Sequence, residues 1–149
     1  MDTQKKQLLE MKRRELAFTK YFKKFESITF LDFEKQESVW YQKFFIEFHK
    51  FNHIYSVPNM VKPCGLTDKE MIAWAYENLT AFHEETEFLL PVYDCLANVV
   101  VKSFSKAIYE LWRPDANIGV NVIMASKKQK KIFHIFEEEY EYQIYLGVL

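Results

Sequence analysis

His49 and His53 stand four residues apart, the spacing at which two imidazoles share one face of a helix and supply half of a zinc site. Lys50 follows His49 where a metalloprotease helix carries glutamate, so the H-E-x-x-H pattern is absent. Both rings also project away from the aromatic stripe of their own segment, which makes them solvent-facing side chains. His83, Glu84 and Glu85 are adjacent and are the residue types of general acid–base catalysis, where a carboxylate must orient the imidazole. Neighbours in a helix diverge, however, and the cluster reads as a solvated helix end. Asp94 and Cys95 form a second pair. A reactive cysteine needs a cation or a helix N-terminus beside it; with 94–95 placed inside a helix and no histidine close in sequence, Cys95 is expected to be a buried thiol. G-x-S-x-G does not occur, which removes the nucleophile elbow of the serine hydrolases. The three glycines, Gly65, Gly119 and Gly147, are far apart. A phosphate-cradling loop needs them clustered so that backbone N–H groups can approach the anion. No metal or cofactor is expected.

Two charged features remain. Glu137, Glu138, Glu139 and Glu141 interleave with Tyr140 and Tyr142. Clustered carboxylates repel one another unless water or a cationic partner meets them, and tyrosines add flat amphipathic contact area of the kind enriched at interfaces. This makes residues 137–142 the candidate partner-binding surface, for a protein with a basic surface. The second feature is basic. Met1–Lys24 carries eight cations and three anions, and Lys5, Lys6, Lys12, Arg13, Lys20, Lys23 and Lys24 fall on one side of a helix. Lys5, Lys12, Arg13, Lys20 and Lys24 are the secondary candidate set, able to track a phosphate backbone or lie on an anionic membrane.

The hydrophobic pattern supplies the elements that would position these groups. Leu8, Met11, Phe18, Phe22 and Phe25 predict a helix over 4–25. Ser27–Phe33 predicts a short strand. Trp40, Phe44, Phe48, Phe51 and Tyr55 predict a helix over 38–55 with an aromatic face. Pro58, Pro63 and Gly65 make 57–65 a loop. Thr67 and Glu70 form a capping box, with Leu66 and Met71 at the positions of a hydrophobic staple, opening a helix to about Phe82. The apolar run from Leu89 to Leu111 predicts a helix over 87–112, buried on more than one side and therefore central, closed by Arg113-Pro114-Asp115. Pro91 would mark its first turn or a kink. The period then drops to two: Ile118, Val120, Val122 and Met124; Lys131–Phe136; and Tyr140, Tyr142, Ile144, Leu146 and Val148, with a polar turn over Ser126–Lys130. This predicts a three-stranded antiparallel meander, against a competing helix over 130–146. The expected fold is α+β, about four helices packed around the fourth and followed by the meander.

At 149 residues the chain is expected to be a single domain, residues 1–149, able to fold without staples. Its 14 Phe, 9 Tyr and 3 Trp provide an aromatic core and surplus rings for contact. No apolar leader precedes Arg14 and no run of eighteen apolar residues occurs, so a cytoplasmic chain with reduced thiols and no membrane span is expected. The expected function is a small protein-binding module, an immunity-protein- or antitoxin-like inhibitor that occludes a toxin or foreign enzyme. The alternatives are a nucleic-acid-binding or scaffold protein using the first helix, and an enzyme of unrecognised type built from His49, His83, Glu84 or Asp94.

Overall fold

Among the described residues, the order of helical and alternating segments resolves into four α-helices and seven strands. The computed structural model describes residues 2–112 and 121–149. In chain order these are α1 (Thr3–Phe22), β1 (Ile28–Glu34), α2 (Val39–Phe51), β2 (Met60–Pro63), α3 (Asp68–Glu77), β3 (Glu87–Val92), β4 (Cys95–Val101), α4 (Phe104–Trp112), β5 (Asn121–Ser126), β6 (Lys131–Glu137) and β7 (Glu141–Val148). The strands form one antiparallel sheet in the order β1-β4-β3-β5-β6-β7-β2.

The expected fold class is corrected here. There is no central helix over 87–112: that stretch is the β3–β4 hairpin followed by α4. The sheet has seven strands rather than three. Leu89 and Leu96 face α2 while Phe88, Leu90, Val92, Ala97, Val99 and Val101 face the other helices. A strand buried on both faces reads as a continuous apolar run, and periodicity alone does not separate it from a buried helix. The break between the strands is the two-residue turn Tyr93–Asp94, which contains no glycine. Pro91 is a strand residue opposite Leu96; in a hairpin closed by two residues this is a non-hydrogen-bonded position, so the missing N–H costs that ladder nothing. The loop expected over 57–65 contains β2, and 130–146 forms strands, not the competing helix. Arg113-Pro114-Asp115, Ile118 and Val120 lie outside the described residues.

Each helix has a local reason to begin where it does. The side chains of Asp2, Ser38 and Thr67 accept hydrogen bonds from Gln4, Tyr41 and Glu70 N–H respectively, satisfying donors left free at the first turn. The Thr67–Glu70 capping box forms in both directions. Helices α1, α3 and α4 cover one face of the sheet and α2 the other. In β1 the register slips between Phe30 and Asp32. This bulge at Leu31 keeps Ile28, Phe30 and Phe33 on the same face, against Phe18 of α1. The Glu110 carboxylate of α4 accepts from Glu26 N–H, Ser27 N–H and the Ser27 hydroxyl, fixing the corner where α1 turns into β1.

One seam in the sheet is thin. Among the described residues, strands β3 and β5 share a single paired position, Leu89 with Ala125. Four phenylalanines pack across it. Phe88 of β3 and Phe133 of β6 meet Phe104 of α4 at 5.4 and 5.7 Å between ring centroids, and Phe82 closes on Phe133 at 4.8 Å.

His134 on β6 is buried among Phe48, Phe51, Phe136 and Tyr145. Its Nε2 lies 3.3 Å from Asn121 Oδ1, and among the described residues its Nδ1 has no hydrogen-bond partner. Burial pushes its pKa down to about 4. The unfolded chain therefore binds a proton that the folded chain refuses between pH 6.5 and 4, so stability contributed by this group is present above 6.5 and is lost as pH falls. We expect a loss of about 2 kcal/mol between pH 7 and pH 5 from this residue. Urea unfolding of the wild type and of His134→Phe at both pH values measures it; the variant should show the smaller loss.

Candidate functional site

The β6–β7 connection is the polar tip of a hairpin whose strands are held by apolar alternation. Tyr142 and Ile144 point into the core beside Ile135, which leaves Glu138, Glu139 and Tyr140 at the turn, exposed, with Tyr140 77% accessible. Glu138 N–H donates to Glu141 O at 2.8 Å and Cys64 N–H donates to Tyr140 O at 3.0 Å, so the tip is pinned both internally and by the neighbouring β2 segment. Glu137 and Glu141 flank it, half-buried. The structure thus gathers five of the six candidate residues around the tip. It takes the sixth away from the surface: Tyr142 is buried and its hydroxyl donates to Leu66 O at 3.3 Å. Burial and the Glu137 carboxylate push its phenol up. Among the described residues, no ion pair engages Glu137, Glu138, Glu139 or Glu141. Their negative charge is felt by Cys64, whose thiol is pushed up by desolvation and then by Glu137 and Glu141.

The secondary basic set lies on α1. Lys5, Lys12, Arg13, Lys20 and Lys24 are all exposed, and so is every residue from Asp2 to Ala17. Leu8 and Met11 continue the stripe of Phe18 and Phe22 but remain 55% and 40% accessible. Only the last turns of α1 are embedded, and among the described residues no element covers its first half, a cationic arm.

The histidine and cysteine candidates are dispersed. His49 and His53 are exposed on and just beyond α2. His83 stacks on Tyr76 at 3.9 Å and its Nε2 donates to Tyr76 O at 2.6 Å, which ties down the end of α3. Glu85 accepts from Gln129 Nε2 at 2.8 Å. Asp94 is in the β3–β4 turn, and Cys95 begins β4, half-buried, rather than sitting within a helix. Its thiol is pushed up by burial and by Asp94, so the thiolate is disfavoured. No hydrogen bond links His49, His83, Glu84 and Asp94, and among the described residues no three His, Cys, Asp or Glu side chains converge on a metal position.

Sequence reading misses one polar region. A cavity of about 430 Å³ opens on the part of the sheet that α2 leaves uncovered, lined by Asp32, Glu84, Glu85, Asn98, Lys127 and Lys128 among others. Beside it the Asn98 amide donates to Asp32 at 2.7 Å and to Glu34 at 3.3 Å, and Lys127 pairs with Glu34. Burial raises the Glu34 carboxyl, but the bonds from Lys127 and Asn98 outweigh it and hold the group below the usual range. These polar groups largely satisfy one another. They come from four separate segments, so no local sequence signal announces them.

No protein-family model matches the chain, no curated protein matches it, and no solved structure matches it. Among the described residues, no helix is long and apolar enough to cross a membrane.

The closeness of the acidic tip to Cys64 is open to a direct check. Because Glu137 and Glu141 raise the Cys64 thiol, Glu137→Gln with Glu141→Gln should increase its thiolate fraction. We expect iodoacetamide to alkylate Cys64 faster in this variant at pH 8, by about twofold or more, with the rate at Cys95 unchanged, read by peptide mass spectrometry.

Proposed function

We propose that this chain is a non-catalytic protein-binding module of the cytoplasm that inhibits a basic partner, a toxin or foreign enzyme, in the manner of an immunity protein or antitoxin. The observation that carries this reading is the β6–β7 tip: four clustered glutamates, none in an ion pair among the described residues, beside an exposed tyrosine on a pinned turn. Uncompensated like charge is tolerated there because water solvates it, and a cationic surface would relieve it. Carboxylates at such a tip can occupy the positions of phosphates in a basic active site. They steer association through long-range attraction, while Tyr140 provides desolvated contact at the centre. Occlusion needs no reaction, and the candidate acid–base residues of this chain are engaged in local packing or exposed singly.

The test is capture of basic proteins from extract of the native host, with the wild type and with Glu138→Lys/Glu139→Lys. The wild type should retain a basic protein whose association slows as salt rises, and charge reversal should slow association by on the order of tenfold or more at low salt. Retention of the same protein at an unchanged rate by the reversed variant would remove the acidic tip from the reading.

The exposed length of α1 favours a second reading, in which the basic arm binds a polyanion such as nucleic acid. Its cations project from a helix whose first half is exposed, which suits backbone contact and counterion release. Replacing Lys5, Lys12, Arg13, Lys20 and Lys24 by Gln should lower the salt needed to elute the protein from heparin and abolish a shift of duplex DNA. If wild-type protein passes through heparin at low salt, this reading is excluded.

A further inference from the structure

The embedded turns of α1 and the β3–β4 tip enclose an open groove of about 610 Å³, within the size range of pockets that hold small organic ligands. Its surface is mostly carbon, from Ala17, Phe18 and Tyr21 on the helix and Tyr93 on the turn. Its rim is cationic. Arg14 reaches across the groove to within 4.0 Å of Cys95 Sγ, Lys20 stands on the helix side, and Lys24 Nζ lies 4.1 Å from the centre of the Tyr21 ring. Among the described residues, Asp94 is the acidic residue on the lining.

The far wall is built at a cost. Tyr93 has φ +57°, a left-handed conformation that a bulky residue adopts only when its surroundings enforce it. The Tyr41 hydroxyl of α2 donates to Asp94 O at 2.9 Å and so anchors the turn from the opposite side of the sheet. The result holds an aromatic ring, 87% exposed, beside the groove. Tyr21 inside the groove is desolvated: its phenol is pushed up to about 12 by burial and then by Tyr93. An apolar trough with an aromatic wall, and with Arg14 and Lys20 at its rim, is complementary to a molecule that joins a hydrocarbon body to an anionic head.

We propose that this groove binds a single-chain anionic amphiphile, a long-chain carboxylate, with its hydrocarbon on Ala17, Phe18, Tyr21 and Tyr93 and its head on the Arg14 and Lys20 side chains. A planar carboxylate suits the guanidinium fork of Arg14. A second copy of the chain is a poorer occupant, because it would bring another α1, with its excess of cations, against this one. The site is independent of the acidic β6–β7 tip, and either proposal can fail without the other.

The experiment is a titration with the fluorescent fatty acid cis-parinarate, kept below its micellar concentration, followed by displacement with palmitate and with its uncharged methyl ester. One probe should bind per chain, and palmitate should displace it far better than the ester. Ala17→Trp fills the trough from an exposed helix position and should weaken binding by on the order of tenfold or more; Arg14→Gln with Lys20→Gln should weaken it similarly for palmitate and leave the ester unaffected. Tyr93→Gly removes the wall and the left-handed strain together, so it should lower affinity while raising the melting temperature. Circular dichroism establishes that each variant is folded. Equal displacement by acid and ester, several probes adsorbed per chain, no binding by the wild type, or full binding by folded Ala17→Trp and Tyr93→Gly would each overturn the proposal.

Discussion

The packing of Phe82, Phe88, Phe104 and Phe133 over the β3–β5 seam is the interaction on which the rest of the molecule depends. Among the described residues, backbone pairing there is a single position, Leu89 with Ala125, so side-chain packing carries much of the join between the β1-β4-β3 strands and β5-β6-β7-β2. The aromatic group does it from the helix side, since Phe88 and Phe133 belong to strands on opposite sides of the seam and Phe104 touches both. Ring pairs of this kind add to the stabilisation from buried area alone.

That join sets where the surface features lie. Strands β3 and β6 both run antiparallel to β5, so their C-terminal turns emerge at the same end of the sheet. The Tyr93–Asp94 turn, which walls the cationic-rimmed groove, and the Glu138–Tyr140 tip, with its clustered carboxylates, are therefore placed on one end by opposite halves of the sheet. Their spacing is held by the phenylalanine packing rather than by any contact between the turns.

Much of this was legible from local chemistry. The T-x-x-E box at Thr67 has a reciprocal hydrogen-bond meaning and forms as written. The Phe18–Phe22–Phe25 and Phe44–Phe51 spacings place those rings inward, and the alternation after Ser126 gives β6 and β7. That alternation also contained the fate of Tyr142, since it shares the apolar side of β7 with Ile144; the acidic neighbours on either side obscured it. Residues 87–112 were not legible, because strands buried on both faces lose the alternation that identifies a strand, and the turn at Tyr93 uses a strained tyrosine where glycine or asparagine is the usual signal. β2 was hidden by Pro58, Pro63 and Gly65. The groove and the polar cavity were beyond reach for the same reason: each needs the hairpin first, and each draws its lining from segments distant in the chain.

The outer strand β2 has only four residues and ends in Pro63, which has no N–H to offer a further strand. An extended chain arriving at that side would find too short a template and a missing donor, so addition of strand upon strand from neighbouring molecules has no purchase there. At this edge, one of the two that the sheet presents, one of the easiest routes to fibrous self-assembly is thereby closed.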